Sequence, residues 1–288
     1  MLAFNPEAPF VGTSQSVLLI QGGVNLAFEC LRPTPMILMA QLRPEREKDL
    51  VQPEILTFLP NIPRSSYIDG FGNKCLRFKA PIGFLSIWSR FLLADSGAPE
   101  QLPYDAYQHD VAELPENVLP FLLGSRYCDT QLLMQQAWYL FGHYQEGWPR
   151  AEAILDFVHR HIRFDYQSAR NDRTASHAFI ERRGVCRDFA HLATAFFRCM
   201  NIPARYCTGY LGDIGVPRDP APMDFSAWCE VYMGGQWWTL DARHHQPRIG
   251  RLLVARGRDA ADVAITTSFG QALLTEFTVI TEEDVAAL

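Results

Sequence analysis

Short apolar runs broken by proline and glycine fill the first third of the chain. Longer stretches follow in which apolar residues recur three and four apart. Met36-Ile37-Leu38-Met39, Glu54-Ile55-Leu56-Thr57-Phe58, Cys75-Leu76-Arg77-Phe78 and Phe84-Leu85-Ser86-Ile87-Trp88 have strand length. With their Pro and Gly punctuation they predict an antiparallel β-sandwich over residues 1–95. Asp69-Gly70-Phe71-Gly72-Asn73 predicts a tight turn between two of these strands. Val17-Leu18-Leu19-Ile20 stops at Gly22-Gly23 and reads as a strand rather than a signal peptide. Residues 96–120 are proline-rich and acidic and read as a linker.

Helical spacing then takes over. Leu133, Ala137, Leu140 and Phe141 share one face behind Asp129, the expected N-cap. Ile154, Leu155, Val158 and Ile162 form a second stripe, opened by Pro149. A third helix begins near Cys186 and stops before Ile202-Pro203. Extended runs follow at Arg205–Leu211, Ala227–Met233, Gln236–Asp241 and Glu276–Thr281. Gly234-Gly235 predicts a two-residue hairpin turn that pairs Met233 with Gln236. In that register Ser226, Trp228, Glu230 and Tyr232 share a face with Trp237, Thr239, Asp241 and Arg243. Ser226 and Asp241 become diagonal neighbours, about 7–8 Å apart at Cα.

Composition narrows the class. The chain has 288 residues, 48% hydrophobic and 20% charged, which describes a globular protein of one or two domains. A net charge of −6 supplies no attraction to nucleic acid or to an anionic membrane surface. No apolar stretch reaches the roughly 18 residues that span a bilayer. Seven scattered cysteines without a CxxC pair fit a reducing, cytoplasmic setting.

The chemistry concentrates at Gly184-Val185-Cys186-Arg187-Asp188-Phe189-Ala190-His191. A cysteine just behind a glycine and at a helix start faces backbone N–H groups and the positive end of the helix dipole. That placement favours a thiolate nucleophile. The alternative for any single cysteine is a small core residue.

These residues resemble a known family. Gly184-Val185-Cys186-Arg187-Asp188-Phe189-Ala190 is followed by Asn201-Ile202-Pro203-Ala204-Arg205-Tyr206 and Thr208-Gly209-Tyr210. Then come Ala227-Trp228-Cys229-Glu230-Val231-Tyr232, Gly235-Gln236-Trp237 and Asp241. Over about residues 150–245 this order resembles the transglutaminase-like superfamily, and Gly257–Ala264 extends the similarity to one bacterial branch. The resemblance implies an α+β protein, with the sandwich followed by a papain-like core over residues 121–288. In that core a cysteine-bearing helix packs on an antiparallel sheet. It implies a thiol hydrolase or acyltransferase that cleaves or exchanges amide bonds in a peptide, protein or small amide substrate through an acyl-enzyme. It implies no metal or organic cofactor; some animal members use calcium, but no calcium-loop signature occurs here.

The resemblance also assigns residues. Cys186 matches the nucleophile and Asp241 the acid that orients the family's histidine, but the histidine position falls on Ser226. Serine cannot serve as a base near neutral pH. Three readings stay open. Another histidine substitutes: His244 is the first candidate, three residues past Asp241, with His245, His191 and His177 behind it. Alternatively, Cys186 is activated by the helix terminus and a cation, Arg187 or Arg243. Or catalysis is lost and the groove binds a peptide or partner protein. Arg187, Arg243 and Trp228 are the expected substrate-binding residues. The mixed-charge stretch Arg248, Arg251, Arg256, Arg258, Asp259 and Asp262 is expected to form ion pairs within the fold.

Overall fold

The computed structural model describes residues 17–284. Six strands come first among the described residues: β1 (Leu18–Cys30), β2 (Thr34–Leu38), β3 (Leu50–Leu59), β4 (Arg64–Ile68), β5 (Lys74–Ala80) and β6 (Gly83–Asp95). Four helices and a pair of two-residue strands follow: α1 (Thr130–Phe141), α2 (Trp148–His161), β7 (Arg163–Phe164), α3 (Ala175–Glu181), β8 (Arg183–Gly184) and α4 (Cys186–Cys199). The chain ends in β9 (Ala204–Leu211), β10 (Ser226–Met233), β11 (Gln236–Leu240), β12 (Arg251–Gly257), β13 (Thr266–Ser268) and β14 (Ala272–Glu283).

Two antiparallel sheets form the expected sandwich, ordered β14-β1-β6-β3 and β13-β2-β5-β4. Alternating residues of β1, β3, β5 and β6 point inward, among them Val24, Leu26, Phe58, Phe78, Ile87 and Leu93. Phe58 meets Phe78 edge to face at 5.1 Å across the two sheets. The predicted turn at residues 69–73 joins β4 to β5, where the Asp69 side chain accepts from the Phe71 and Asn73 amides.

A third antiparallel sheet, β11-β10-β9-β12, carries α4 on one side. Every α4 residue from Asp188 to Cys199 is buried. Phe189, Leu192, Phe196 and Phe197 face a core shared with α1, α2 and α3, while Ala190 faces the core of the sandwich. The hairpin register is the expected one: Met233 pairs with Gln236 and Cys229 with Leu240. Both turn glycines have positive φ, 58° at Gly234 and 85° at Gly235, the backbone of a turn that matches strand twist.

Three expectations are corrected. A unit ending at residue 288 is not what the strand pairing draws, because β13 pairs with β2 and β14 runs beside β1 almost end to end. The core of the sandwich also continues into the third sheet through Tyr206, Tyr210, Leu252 and Val254. Second, residues 96–120 are a strap rather than a loose linker. The Trp148 amide donates to the Ala106 carbonyl (3.2 Å), the Gly234 amide to Tyr107 (2.9 Å), and Gln108 Nε2 to Met200 (2.9 Å). Third, Asp129 precedes α1 but does not cap it. Its carboxylate accepts from the backbone N–H (2.9 Å) and the hydroxyl (2.5 Å) of Ser176, and so closes the start of α3 instead.

Candidate active site

Cys186 is the first residue of α4, and its placement is local in origin. The parallel pair β7-β8 sets Phe164 beside Gly184 and delivers the chain to the helix start. A Cβ at Gly184 would stand 2.4 Å from the Asp188 carboxylate, so only glycine fits there. Asp188 reaches back to accept from the Val185 amide at 2.8 Å and pairs with buried Arg173 at 2.9 Å. Burial still pushes the Asp188 carboxyl above the usual range, against the lowering effect of the Val185 amide and Arg173.

The Cys186 thiol is half-buried at the wall of a cleft of about 140 Å³. The cleft is also lined by Asp224, Ser226, Arg243, His244 and Arg248. The thiol lies 3.9 Å from the Phe225 carbonyl, to which it donates. Burial pushes the thiol up to about 11; Arg243 opposes the shift, and Asp224 and Asp241 add to it. The helix start favours a thiolate, and burial opposes it. Desolvation at this position favours the protonated thiol.

Strand β11 ends at Leu240, and the next five residues form a turn organised by Asp241. One carboxylate oxygen of Asp241 accepts from the amides of Arg243 (2.9 Å) and His244 (3.2 Å). The Asp241 carbonyl accepts from the His245 amide at 2.8 Å. The second carboxylate oxygen stands 2.9 Å from His244 Nδ1 and 2.9 Å from Arg251 Nη2. Asp241 is buried, yet Arg251 and His244 hold its carboxyl well below the ordinary carboxylate range. An ionised carboxylate only accepts, so His244 Nδ1 carries the hydrogen and Nε2 is the ring's acceptor.

Arg251 ties this turn to the strap. Its buried guanidinium also pairs with Glu100 and lies 4.5 Å over the Trp228 ring. Glu100 in turn accepts from the Arg248 amide at 3.1 Å. The series Glu100, Arg251, Asp241, His244 thus runs from residues 96–120 to the cleft. Sequence patterning did not single out Arg251 for this part, nor β12 that carries it.

The structure brings Cys186, Ser226, Arg243 and His244 to one cleft, with Asp241 behind His244. Ser226 is buried at the start of β10, and its hydroxyl has no hydrogen-bond partner among the described residues. Two expected substrate contacts are corrected. Trp228 is 2% exposed and packs under Arg251 instead of lining the cleft. Arg187 is not among the residues lining the cleft, and its guanidinium donates to the Arg170 carbonyl. Arg243 remains, its guanidinium 3.8 Å over the Phe164 ring.

The other histidines lie elsewhere. His191 is buried between Tyr127 (5.2 Å) and Tyr206 (4.8 Å), and its Nε2 accepts from the Ala260 amide. His177 sits at the start of α3 beside Thr174. His245 lines a separate cavity behind Asp241. No group of three or more His, Cys, Asp or Glu side chains among the described residues is arranged to hold a metal ion.

Residues 141–242 match the transglutaminase-like superfamily core. An uncharacterised protein of Mycobacterium leprae is 38% identical over 89 residues, 28% of this chain and 30% of its own. An uncharacterised protein of Mycobacterium tuberculosis is 32% identical over 127 residues, 40% of each chain. The chain thus spans well under half the length of these relatives. The crystal structure of a candidate cysteine protease from Cytophaga hutchinsonii superposes with a TM-score of 0.81 at 28% identity, over 93% of this chain and 91% of that one.

Proposed function

Since this chain carries a transglutaminase-like core over residues 141–242, we propose that it is a thiol hydrolase or acyltransferase acting on amide bonds through Cys186, with His244 as its base. The observation that carries this reading is the placement of His244. It lines the cleft with Cys186 while its Nδ1 is engaged by Asp241. The base has moved from the start of β10, where Ser226 stands, to the turn after β11. The likeness to the Cytophaga hutchinsonii candidate cysteine protease supports the same reaction class.

The steps follow from a protonated resting thiol. His244 Nε2 takes the Sγ proton as sulfur attacks the amide carbonyl carbon. A C–S bond forms, and negative charge moves to the carbonyl oxygen, which the Cys186 N–H at the helix start stabilises. On collapse, His244 returns the proton to the leaving nitrogen, the C–N bond breaks and an acyl-enzyme remains. Water or an amine, deprotonated by His244, then releases the acyl group. Asp241 holds the ring orientation and stabilises the imidazolium. The substrate is a peptide, protein or small amide, and the seven unpaired cysteines suit work in the cytoplasm.

A thiol pushed up to about 11 favours a second reading, a disarmed core that only binds a peptide or partner. Iodoacetamide labelling of Cys186, followed by peptide mass spectrometry, separates the two. We expect labelling at pH 7 that falls at least tenfold in His244→Ala. Equal rates in wild type and variant would remove His244 as the base. Slow labelling of both, with no amide turnover lost in Cys186→Ala, would establish the binding role.

A further inference from the structure

The turn that carries His244 leaves two consecutive carbonyls, those of Ala242 and Arg243, without partners inside the turn. Both point at one atom. Nδ1 of His159, in the last turn of α2, lies 3.1 Å from the Ala242 oxygen and 3.0 Å from the Arg243 oxygen. Two carbonyls can only accept, so Nδ1 carries the hydrogen and is shared between them. The ring also faces His245 at 5.1 Å, the residue whose own left-handed backbone (φ 51°) closes the turn.

We propose that His159 is a positioning residue for the base: its Nδ1–H fixes the backbone of residues 242–243 and thereby the direction in which His244 enters the cleft. The inference rests on His244 being the base. What makes His159 suited to this part is the element it stands on. Helix α2 packs against α4, which carries Cys186. A donor at the end of α2 therefore sets the base in the same rigid frame as the nucleophile. Asp241 orients the His244 ring from within the turn, and His159 holds the turn from outside. Catalytic geometry tolerates little looseness; a displacement of about 1 Å is enough to cost orders of magnitude in rate.

The test uses the full chain and iodoacetamide as the probe, reading the labelling rate of Cys186 at pH 7 in four variants. His244→Ala reports the base. His159→Leu removes the donor. His159→Asn places an amide N–H where Nδ1–H stands, and His159→Gln places it one atom further out. We expect His159→Leu and His159→Gln to slow labelling on the order of tenfold, and His159→Asn to stay within about twofold of wild type. A role in packing alone would not separate Asn from Gln. If His159→Leu labels as fast as wild type while His244→Ala is slow, positioning by His159 is overturned and the base assignment stands. If His159→Asn is as slow as His159→Leu at unchanged Tm, the Nδ1–H bond is overturned as the cause. If His244→Ala is unaffected, both fail. Should His159→Leu not fold, the Asn and Gln pair carries the comparison. Imidazole 15N shifts must also show His159 protonated at Nδ1; a proton on Nε2 alone overturns the inference.

Discussion

Arg251 and His244 meet on the same oxygen of Asp241, each at 2.9 Å, although one comes from strand β12 and the other from the turn after β11. The carboxylate is therefore held by a permanent cation on one side and by the proposed base on the other. This buried pair is where structure and chemistry are most tightly joined.

Asp241→Asn removes one of the two carboxylates that face buried Arg251, Glu100 being the other, and we expect a loss of up to about 3 kcal/mol in stability at pH 7. The sign of its pH dependence follows from the lowered carboxyl. The contribution of Asp241 is complete above the unfolded carboxylate value near 4 and fades as pH falls. Thermal unfolding of both proteins from pH 7 to pH 3 should show a gap that narrows only below about pH 4. A gap that stays constant with pH would mean that packing, not charge, is lost.

His191 sets a second acid limit, at higher pH. Burial, with Arg187 and Arg198 nearby, holds its imidazole well below the usual value. A neutral ring thus contributes stability that is present above about pH 6.5 and is withdrawn as pH falls, by up to about 1.4 kcal/mol per pH unit. His191→Gln should lower Tm at pH 7 and flatten its decline between pH 6.5 and 5. An unchanged slope would show that another group governs that decline.

Glu54 is held at about 7 by burial, although its carboxylate accepts from the Leu42 amide at 3.1 Å. A raised carboxyl favours the fold below the unfolded value near 4.5, and that advantage is lost as pH rises through 7. Glu54→Gln should nearly match wild type at pH 4.5 and exceed it at pH 8 by on the order of 3 kcal/mol. Denaturant unfolding at the two pH values measures this difference, and a wild type as stable as the variant at pH 8 would refute it.

Local patterns were legible where local forces decide. The Gly234-Gly235 turn sets a strand register because both residues take positive φ, and period-two alternation carries that register up β10 and β11. Cys186 at a helix start was readable from the glycine behind it. The direction of His244, by contrast, could not be read from strand parity, because parity holds only while the strand lasts and β11 stops at Leu240. Leu252-Leu253-Val254-Ala255 was masked as a strand by the arginines that flank it. The burial that raises the Cys186 thiol comes from residues remote in sequence, among them Asp224 and Phe225, a tertiary effect without trace in the helix pattern. Trp228 followed the resemblance to the cleft, but its ring is claimed by Arg251 from another strand.

The pairing of β14 with β1 brings Glu283 opposite Ile20. Traced through the sheets, the sandwich is a host interrupted after β6 and resumed at β13, and the cysteine-bearing core is a guest spliced between them. A guest held at both ends cannot drift from its host as a tethered neighbour would. Cleft and sandwich are thereby parts of one continuous packing, joined through Tyr206, Tyr210, Leu252 and Val254.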